Sequence, residues 1–529
     1  MHTCFERTGP AVLGCALAMI LSGCGGSSKT TTTVTTTTTN ADGTTTSTVT
    51  TPGGSTSGGA TSGGSTSGAS TSFAVGGAVS GLGSNESVTL LNNGGDAVMV
   101  SSDGAFVFPT QLAGGGAYAV TVQSHTPGIA CSVTDGSGAV GAANVTDIAV
   151  SCATGKTTIL YSFAGGATGS VPLAGLVMDG SGNLYGTTQQ GGKHGHGTVF
   201  KLSTSHAETV LHAFGDTGND GQDPQAPLIR DSAGNLYGTT LRGGAQDDGT
   251  VFKVAVDGTE TVLYSFGSTR ADGQNPGAGL VMDSAGNVYG TTEIGGAYGA
   301  GTVFRLSAAG AETILHAFLA LGMGLDGQNP QAPLVMDSAG NLYGTTPNGG
   351  AGMAGTVFKL SANGTATVLY AFGSTATTDG HTPYAGLLVD SAGNLYGTTA
   401  SGGANGGTHG DGVVFSLNAA GKETVLYSFG AAANDGMNPY ATLVMDSAGN
   451  LFGTTRAGGT YASGGARRGG TVFKLSPAGT ETILYSFGAA GASDGSSPQA
   501  PLLVDGAGNL YGTTAGGGAH GDGTVFKID

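Results

Sequence analysis

Seven times between Asp179 and Asp505 the chain writes nearly the same phrase: a hydrophobic run ending in Asp, two further residues, Gly-Asn-Leu-Tyr-Gly-Thr-Thr, and later Gly-Thr-Val-Phe-Lys-Leu. The marker aspartates are Asp179, Asp231, Asp283, Asp337, Asp390, Asp446 and Asp505, spaced by 52, 52, 54, 53, 56 and 59 residues. A period near fifty holding several strand-like runs marks a radial or stacked repeat protein. Four such runs recur per unit, as in Ala278 to Asp283, Asn287 to Thr292, Thr302 to Leu306 and Glu312 to Phe318, each bounded by Gly, Asp, Asn or Ser. Four antiparallel strands make a propeller blade, so the chain is expected to be all-β, with a seven-bladed β-propeller over residues 157–529.

The ends of the repeat region agree with that count. Thr157 opens Thr-Thr-Ile-Leu-Tyr-Ser-Phe, which matches the fourth run of a unit, and the chain stops at Asp529 just after a third run, Gly523 to Ile528. Ile159 to Phe163 is therefore expected to complete the last blade and close the ring, leaving no unpaired terminal edge.

The segments before the repeats read as delivery. Residues 1–23 carry Arg7, an apolar stretch from Ala11 to Leu21 and the start of Leu21-Ser22-Gly23-Cys24, the layout of a signal peptide. The tetrapeptide resembles the lipobox of bacterial lipoproteins, which implies cleavage before Cys24 and acylation of its thiol. Gly25 in place of Asp resembles lipoproteins passed on to the outer membrane. Residues 24–72 collapse to Thr, Ser and Gly, too little apolar surface to repay ordering, and are expected to form a flexible tether.

Residues 73–153 show alternating runs at Ser87 to Leu91, Ala97 to Ser101, Ala105 to Pro109, Tyr118 to Gln123 and Val145 to Cys152. We read them as a small immunoglobulin-like β-sandwich acting as a spacer. With Cys4 and Cys15 in the leader and Cys24 lipidated, Cys131 and Cys152 remain and are expected to form a disulfide, the alternative being a redox or metal pair.

Lys and Arg total 17 against 34 Asp and Glu, a net charge of −17, and no basic stripe is present, which argues against nucleic acid. The 103 glycines fall at repeated turn positions, so they signal tight turns rather than disorder.

The stretch Gly279-Leu280-Val281-Met282-Asp283-Ser284-Ala285-Gly286-Asn287, with Gly290-Thr291-Thr292 and Gly301-Thr302-Val303-Phe304, resembles the GloVer tandem repeat of bacterial surface proteins. That resemblance covers residues 157–529 and implies a surface protein with no catalytic activity to carry over. The Asp-x-x-Gly-Asn turn before an aromatic is similar, more loosely, to NHL-type propeller repeats, and residues 73–153 resemble a bacterial sandwich module placed beside a lipobox.

Repeated residues read first as architecture. Asp283 to Asn287 has the chemistry of a turn, and Tyr185, Tyr237, Tyr289, Tyr343, Tyr396, Phe452 and Tyr511 are expected to be interblade core. Asp-Gly-x-x-Pro, at Asp220, Asp272, Asp326, Asp379, Asp435 and Asp494, reads as a turn bracing neighbouring blades, with a calcium-binding ring as the alternative; the first unit has Thr168 in place of Asp. His212 and His316 replace a repeated Tyr and are expected to be packing residues.

Recognition is expected on the face of long, variable loops between second and third strands. The candidate ligand-binding residues there are Lys193, His194, His196, Arg242, Tyr298, His409, Tyr461, Arg467, Arg468 and His520. Ring closure would make the first and last blades neighbours, so His194, His196, His520 and Asp522 form a candidate metal group. No nucleophile elbow, zincin helix or phosphate loop is present, and neither catalytic residues nor a cofactor is expected. The expectation is a lipid-anchored, monomeric protein of the bacterial outer membrane or cell surface, whose propeller face binds an extracellular protein or polysaccharide. A carbohydrate-active enzyme with its site in the central pocket is the alternative.

Overall fold

A computed structural model of the chain describes residues 34–39, 45–50, 71–83, 86–320, 325–373, 378–405, 410–460, 469–488 and 493–529. The chain divides into two compact units, Met1–Ala69 and Ser70–Asp529. In the first, Val34–Thr39 and Thr45–Thr50 pair antiparallel inside the segment expected to be a flexible tether. Runs of β-branched threonine favour extended backbone, a local preference that outweighs their polarity here. The leader and Cys24 lie outside the described residues.

Among the described residues, the repeats contribute seven four-stranded antiparallel sheets. In the third repeat the strands are Val281–Met282, Val288–Thr292, Thr302–Leu306 and Glu312–Ala317, so the first strand is shorter than its sequence run suggests. The seventh sheet takes its fourth strand, Thr157–Ser162, from the start of the region, with Ile159 opposite Phe526. Contacts between repeats are cyclic. Phe214 of the first repeat meets Phe252 of the second edge-on at 5.0 Å, Phe487 of the sixth meets Phe526 of the seventh at 5.1 Å, and Phe163, from the borrowed strand, meets Phe200 of the first at 5.1 Å. Likewise Thr239 donates to the carbonyl of Ala278 in the next repeat, and Thr513 of the last donates to Ala174 of the first.

Each core is shared across a seam. Val199 and Phe214 of the first repeat pack with Leu228, Leu236, Phe252 and Val254 of the second. The Gly of Leu-Tyr-Gly-Thr-Thr permits this: a Cβ on Gly186 would lie 2.8 Å from the Phe200 ring and 3.0 Å from Leu176. The repeated aromatics pack at the seams as expected, but they are half-buried; Phe452 alone of the seven is fully buried. Their hydroxyls explain the difference, because six tyrosines reach back to the turn aspartate, as Tyr185 does to Asp179 Oδ2 at 2.9 Å. Burial would raise the Asp179 pKa. Hydrogen bonds from Asn183, Tyr185 and the Ser181 amide outweigh it and hold the group at about 2.

Before the repeats, two four-stranded sheets enclose one core containing Val75, Leu90, Phe106, Val120, Ile148 and Val150. The expected runs are strands here, joined by Val75–Ser80 and Ile129–Thr134, which sequence reasoning missed. Val75–Ser80 runs parallel to Val145–Thr154, the one parallel pairing among the described strands. Cys131 and Cys152 face each other across adjacent strands and are joined by a disulfide. This domain rests on the sixth and seventh repeats: Lys474 donates to Glu86 at 3.0 Å, and the His125 amide donates to the Ala507 carbonyl at 3.0 Å. In four other repeats the lysine matching Lys474 lies over the repeated tyrosine, as Lys359 does over Tyr343 at 5.3 Å. In the sixth, Phe452 replaces that tyrosine and the lysine turns to Glu86.

Candidate functional site

The position directly after the proline of each Asp-Gly-x-x-Pro turn, or of its counterpart in the first repeat, lines one cavity. Leu173, Gln225, Gly277, Gln331, Tyr384, Tyr440 and Gln499, one from each of the seven repeats, surround about 240 Å³ together with Glu293. What gathers them is the residue before the proline. Val171, Asp223, Asn275, Asn329, Thr382, Asn438 and Ser497 all hold left-handed backbone, with φ between 55° and 59°. Each donates its amide to a carbonyl at the end of the preceding second-to-third-strand loop, at 2.8 to 3.0 Å. His196, Asp248, Ala300, Ala354, Asp411, Gly469 and Asp522 supply those carbonyls. Where the residue is Asn, its side chain adds a second tie, as Asn438 does to Ala400 at 2.8 Å. Each turn therefore leaves its proline fixed and aims the next side chain into the cavity.

The seven positions carry Leu, Gly, three Gln and two Tyr, and the cavity has sides. Tyr384 and Tyr440 stack with centroids 5.3 Å apart and planes 24° from parallel. Arg456 lies over the Tyr440 ring at 5.6 Å, which continues this side as a cation–π stack. Gln331 donates to Glu293 Oε1 at 2.8 Å and fixes that carboxylate. Burial, then the neighbouring Tyr440 and Glu293, pushes the Tyr384 pKa upward, so its phenol stays neutral. The result is a flat aromatic wall facing carboxamides and one anchored carboxylate.

Of the residues singled out in the sequence, none that the structure describes lines this cavity. His194 pairs with Asp216 at 3.1 Å and Lys193 with the same carboxylate at 3.6 Å. Arg242 sits on a two-residue strand, Arg242–Gly243, paired with Gly221–Gln222. Tyr298 is 48% exposed, close to Ile294 at 37% in the same loop. His520 is exposed. His409, Tyr461, Arg467 and Arg468 lie outside the described residues. His194, His196, His520 and Asp522 do not converge: among the described residues the one group of three metal-type donors is His212, Asp220 and Glu260. Sequence reasoning noted the Asp-Gly-x-x-Pro turn and passed over the residue after it. A fixed proline followed by a position that takes four residue types across the seven copies was the available signal.

Tandem four-stranded sheets in a closed cycle of contacts, with a cavity assembled from one residue per copy, define an all-β repeat protein. The chain belongs to the Gloeobacter/Verrucomicrobia repeat family, whose pattern matches residues 117–324, 195–406, 319–462 and 377–529. The first match starts upstream of Thr157, where the sequence set the boundary. No curated protein matches the chain. Among solved structures it is similar to virginiamycin B lyase from Staphylococcus aureus, at 14% identity and a TM-score of 0.46 over 70% of this chain and 98% of that one. It is also similar to a candidate gluconolactonase, at 16% identity and a TM-score of 0.33 over 60% and 90% of the two chains.

Proposed function

We propose that this chain is a noncatalytic, lipid-anchored cell-surface protein of the outer membrane, whose repeats form a seven-bladed propeller that binds a polysaccharide at the mouth of its central channel. In this reading the two sheets before it form an immunoglobulin-like spacer. The observation that carries the binding role is the cavity built by all seven repeats, with Tyr384 and Tyr440 stacked on one side and Gln225, Gln331 and Gln499 among its lining. Sugar rings present apolar C–H faces and equatorial hydroxyls. A neutral aromatic wall suits the former, and carboxamides, which both donate and accept, suit the latter. A binding role also fits the carboxylate count. Glycoside hydrolysis takes two carboxyl groups, and the cavity lining contributes one, Glu293, already engaged by Gln331.

The test is retention on a panel of immobilised polysaccharides, with soluble oligosaccharides as competitors and their products followed by chromatography. Tyr384→Ala and Tyr440→Ala should each weaken retention at least tenfold, with circular dichroism and thermal midpoint preserved. Release of shorter sugars abolished by Glu293→Gln would favour an enzyme instead. Retention indifferent to both tyrosines would move the binding surface to the loops around Tyr298.

A further inference from the structure

Outside the central cavity, the seam between the first two repeats gathers an unusual set of side chains. Five of the seven fourth strands carry Leu-Tyr near their end, and in the second repeat Tyr264 donates its hydroxyl to Asp272 at 3.1 Å. The first repeat has His212 there. Its Nε2 lies 3.3 and 3.4 Å from the two oxygens of Asp220, and its ring is held edge-on against Phe214 at 4.7 Å. Glu260, which opens the fourth strand of the second repeat, completes the group: one donor atom from each residue falls within 4.8 Å of the others.

We propose that this seam is a zinc site, with His212, Asp220 and Glu260 as its three protein ligands. The spacing is the first reason. An imidazolium–carboxylate hydrogen bond settles at about 2.7–2.9 Å, shorter than observed here. Tetrahedral zinc with bonds of about 2.0–2.1 Å instead sets neighbouring ligand atoms about 3.3 Å apart. The second reason is an orphaned atom. Glu260 Oε1 is buried and accepts no hydrogen bond among the described residues, while Asp220, 3% exposed, is already oriented by the amides of Gly215, Asp216 and Gly221. Donors that hold a carboxylate from behind are what orients a metal ligand. The third reason is charge: the fold brings the carboxyl groups of Asp220 and Glu260 together beside an imidazole, where a divalent cation would offset both. The imidazole in the set favours zinc over calcium or magnesium, which take oxygen ligands. His212 keeps a side-chain exposure of 16%, enough for entry and for water as a fourth ligand.

The repeats supply natural controls. At the seam after the third repeat, His316 meets Asp326 at 3.0 Å, but Ala366 stands where Glu260 would be, so two donors remain. His212→Tyr and Glu260→Ala therefore install residues that the same fold already accepts elsewhere in the ring. The full chain, stripped with chelator and dialysed against micromolar Zn2+, should hold one zinc per chain by plasma emission spectrometry. With Co2+ it should show the intense visible bands of a tetrahedral site. Both signals should be lost in His212→Tyr and Glu260→Ala and kept in His316→Tyr, with thermal midpoints of the metal-free proteins alike. A parent chain that retains no zinc overturns the proposal. So does zinc that survives His212→Tyr or disappears with His194→Ala, which would place the metal on the loops.

Discussion

Val171 and Thr382 hold the same left-handed backbone as Asn275, Asn329 and Asn438, and they hold it with branched side chains that clash there. The asparagines reduce that cost, since their amides bond back to the preceding repeat, at 3.0 Å from Asn275 to Leu241 and 3.1 Å from Asn329 to Glu293. Val171→Asn should therefore stabilise the protein by about 1 kcal/mol, read as a higher urea midpoint at unchanged slope. A loss of stability would mean that Val171 packing outweighs the backbone term. The same positions show what a single sequence conceals. The turn was legible from its Asp, Gly and Pro, because those residues recur. The cavity was not, because Leu173, Gln225, Gly277, Gln331, Tyr384, Tyr440 and Gln499 share a position but no single residue type. His212 was legible as packing and does pack on Phe214; its approach to Glu260 depends on a seam between repeats that no local pattern encodes.

The fourth strands carry a second recurring chemistry. Glu312, Glu423 and Glu481 open three of them, and burial first, then the facing Asp272, Asp379 and Asp435, raises each to about 7. Glu312 Oε1 and Asp272 Oδ1 are both buried without a hydrogen-bond partner, as are the matching atoms of the other two pairs, so a proton held by each pair supplies the missing donor. Because these folded-state pKa values lie above the ordinary glutamate value of 4.5, the strands contribute stability fully below pH 4.5 and lose it as pH rises through about 7. The turn aspartates act in the opposite sense. Asp179, lowered from 3.8 to about 2, contributes above pH 3.8 and loses that contribution as pH falls through about 2. Calorimetry across pH should show a thermal midpoint highest near pH 4 to 5 and falling toward pH 8. The triple variant Glu312→Gln, Glu423→Gln and Glu481→Gln should flatten the upper limb and leave the acid limb intact. An unchanged upper limb would show that these carboxyl groups titrate normally.

At the scale of the molecule, the period announced four-stranded antiparallel sheets, and the unmatched ends announced the pairing of Thr157–Ser162 with Thr524–Ile528. What they could not announce is where the small domain rests, because that contact is marked by departures: Phe452 for Tyr, and Lys474 turned to Glu86. Closure has a direct test in Phe163, fully buried at the seam of the seventh and first repeats. Phe163→Ala should cost about 3–5 kcal/mol, as much as Phe266→Ala at an interior seam, measured by denaturant unfolding. A much smaller loss at Phe163 would mean that the last seam is open in solution.

The borrowed strand also gives folding an order. Its partner lies at the far end of the repeats, so this seam can form only after Thr524–Ile528 has been made. A copy truncated near its end would expose the apolar edge of Thr157–Ser162 to proteases. The join thus gives quality control a way to tell a closed cycle of sheets from an open one.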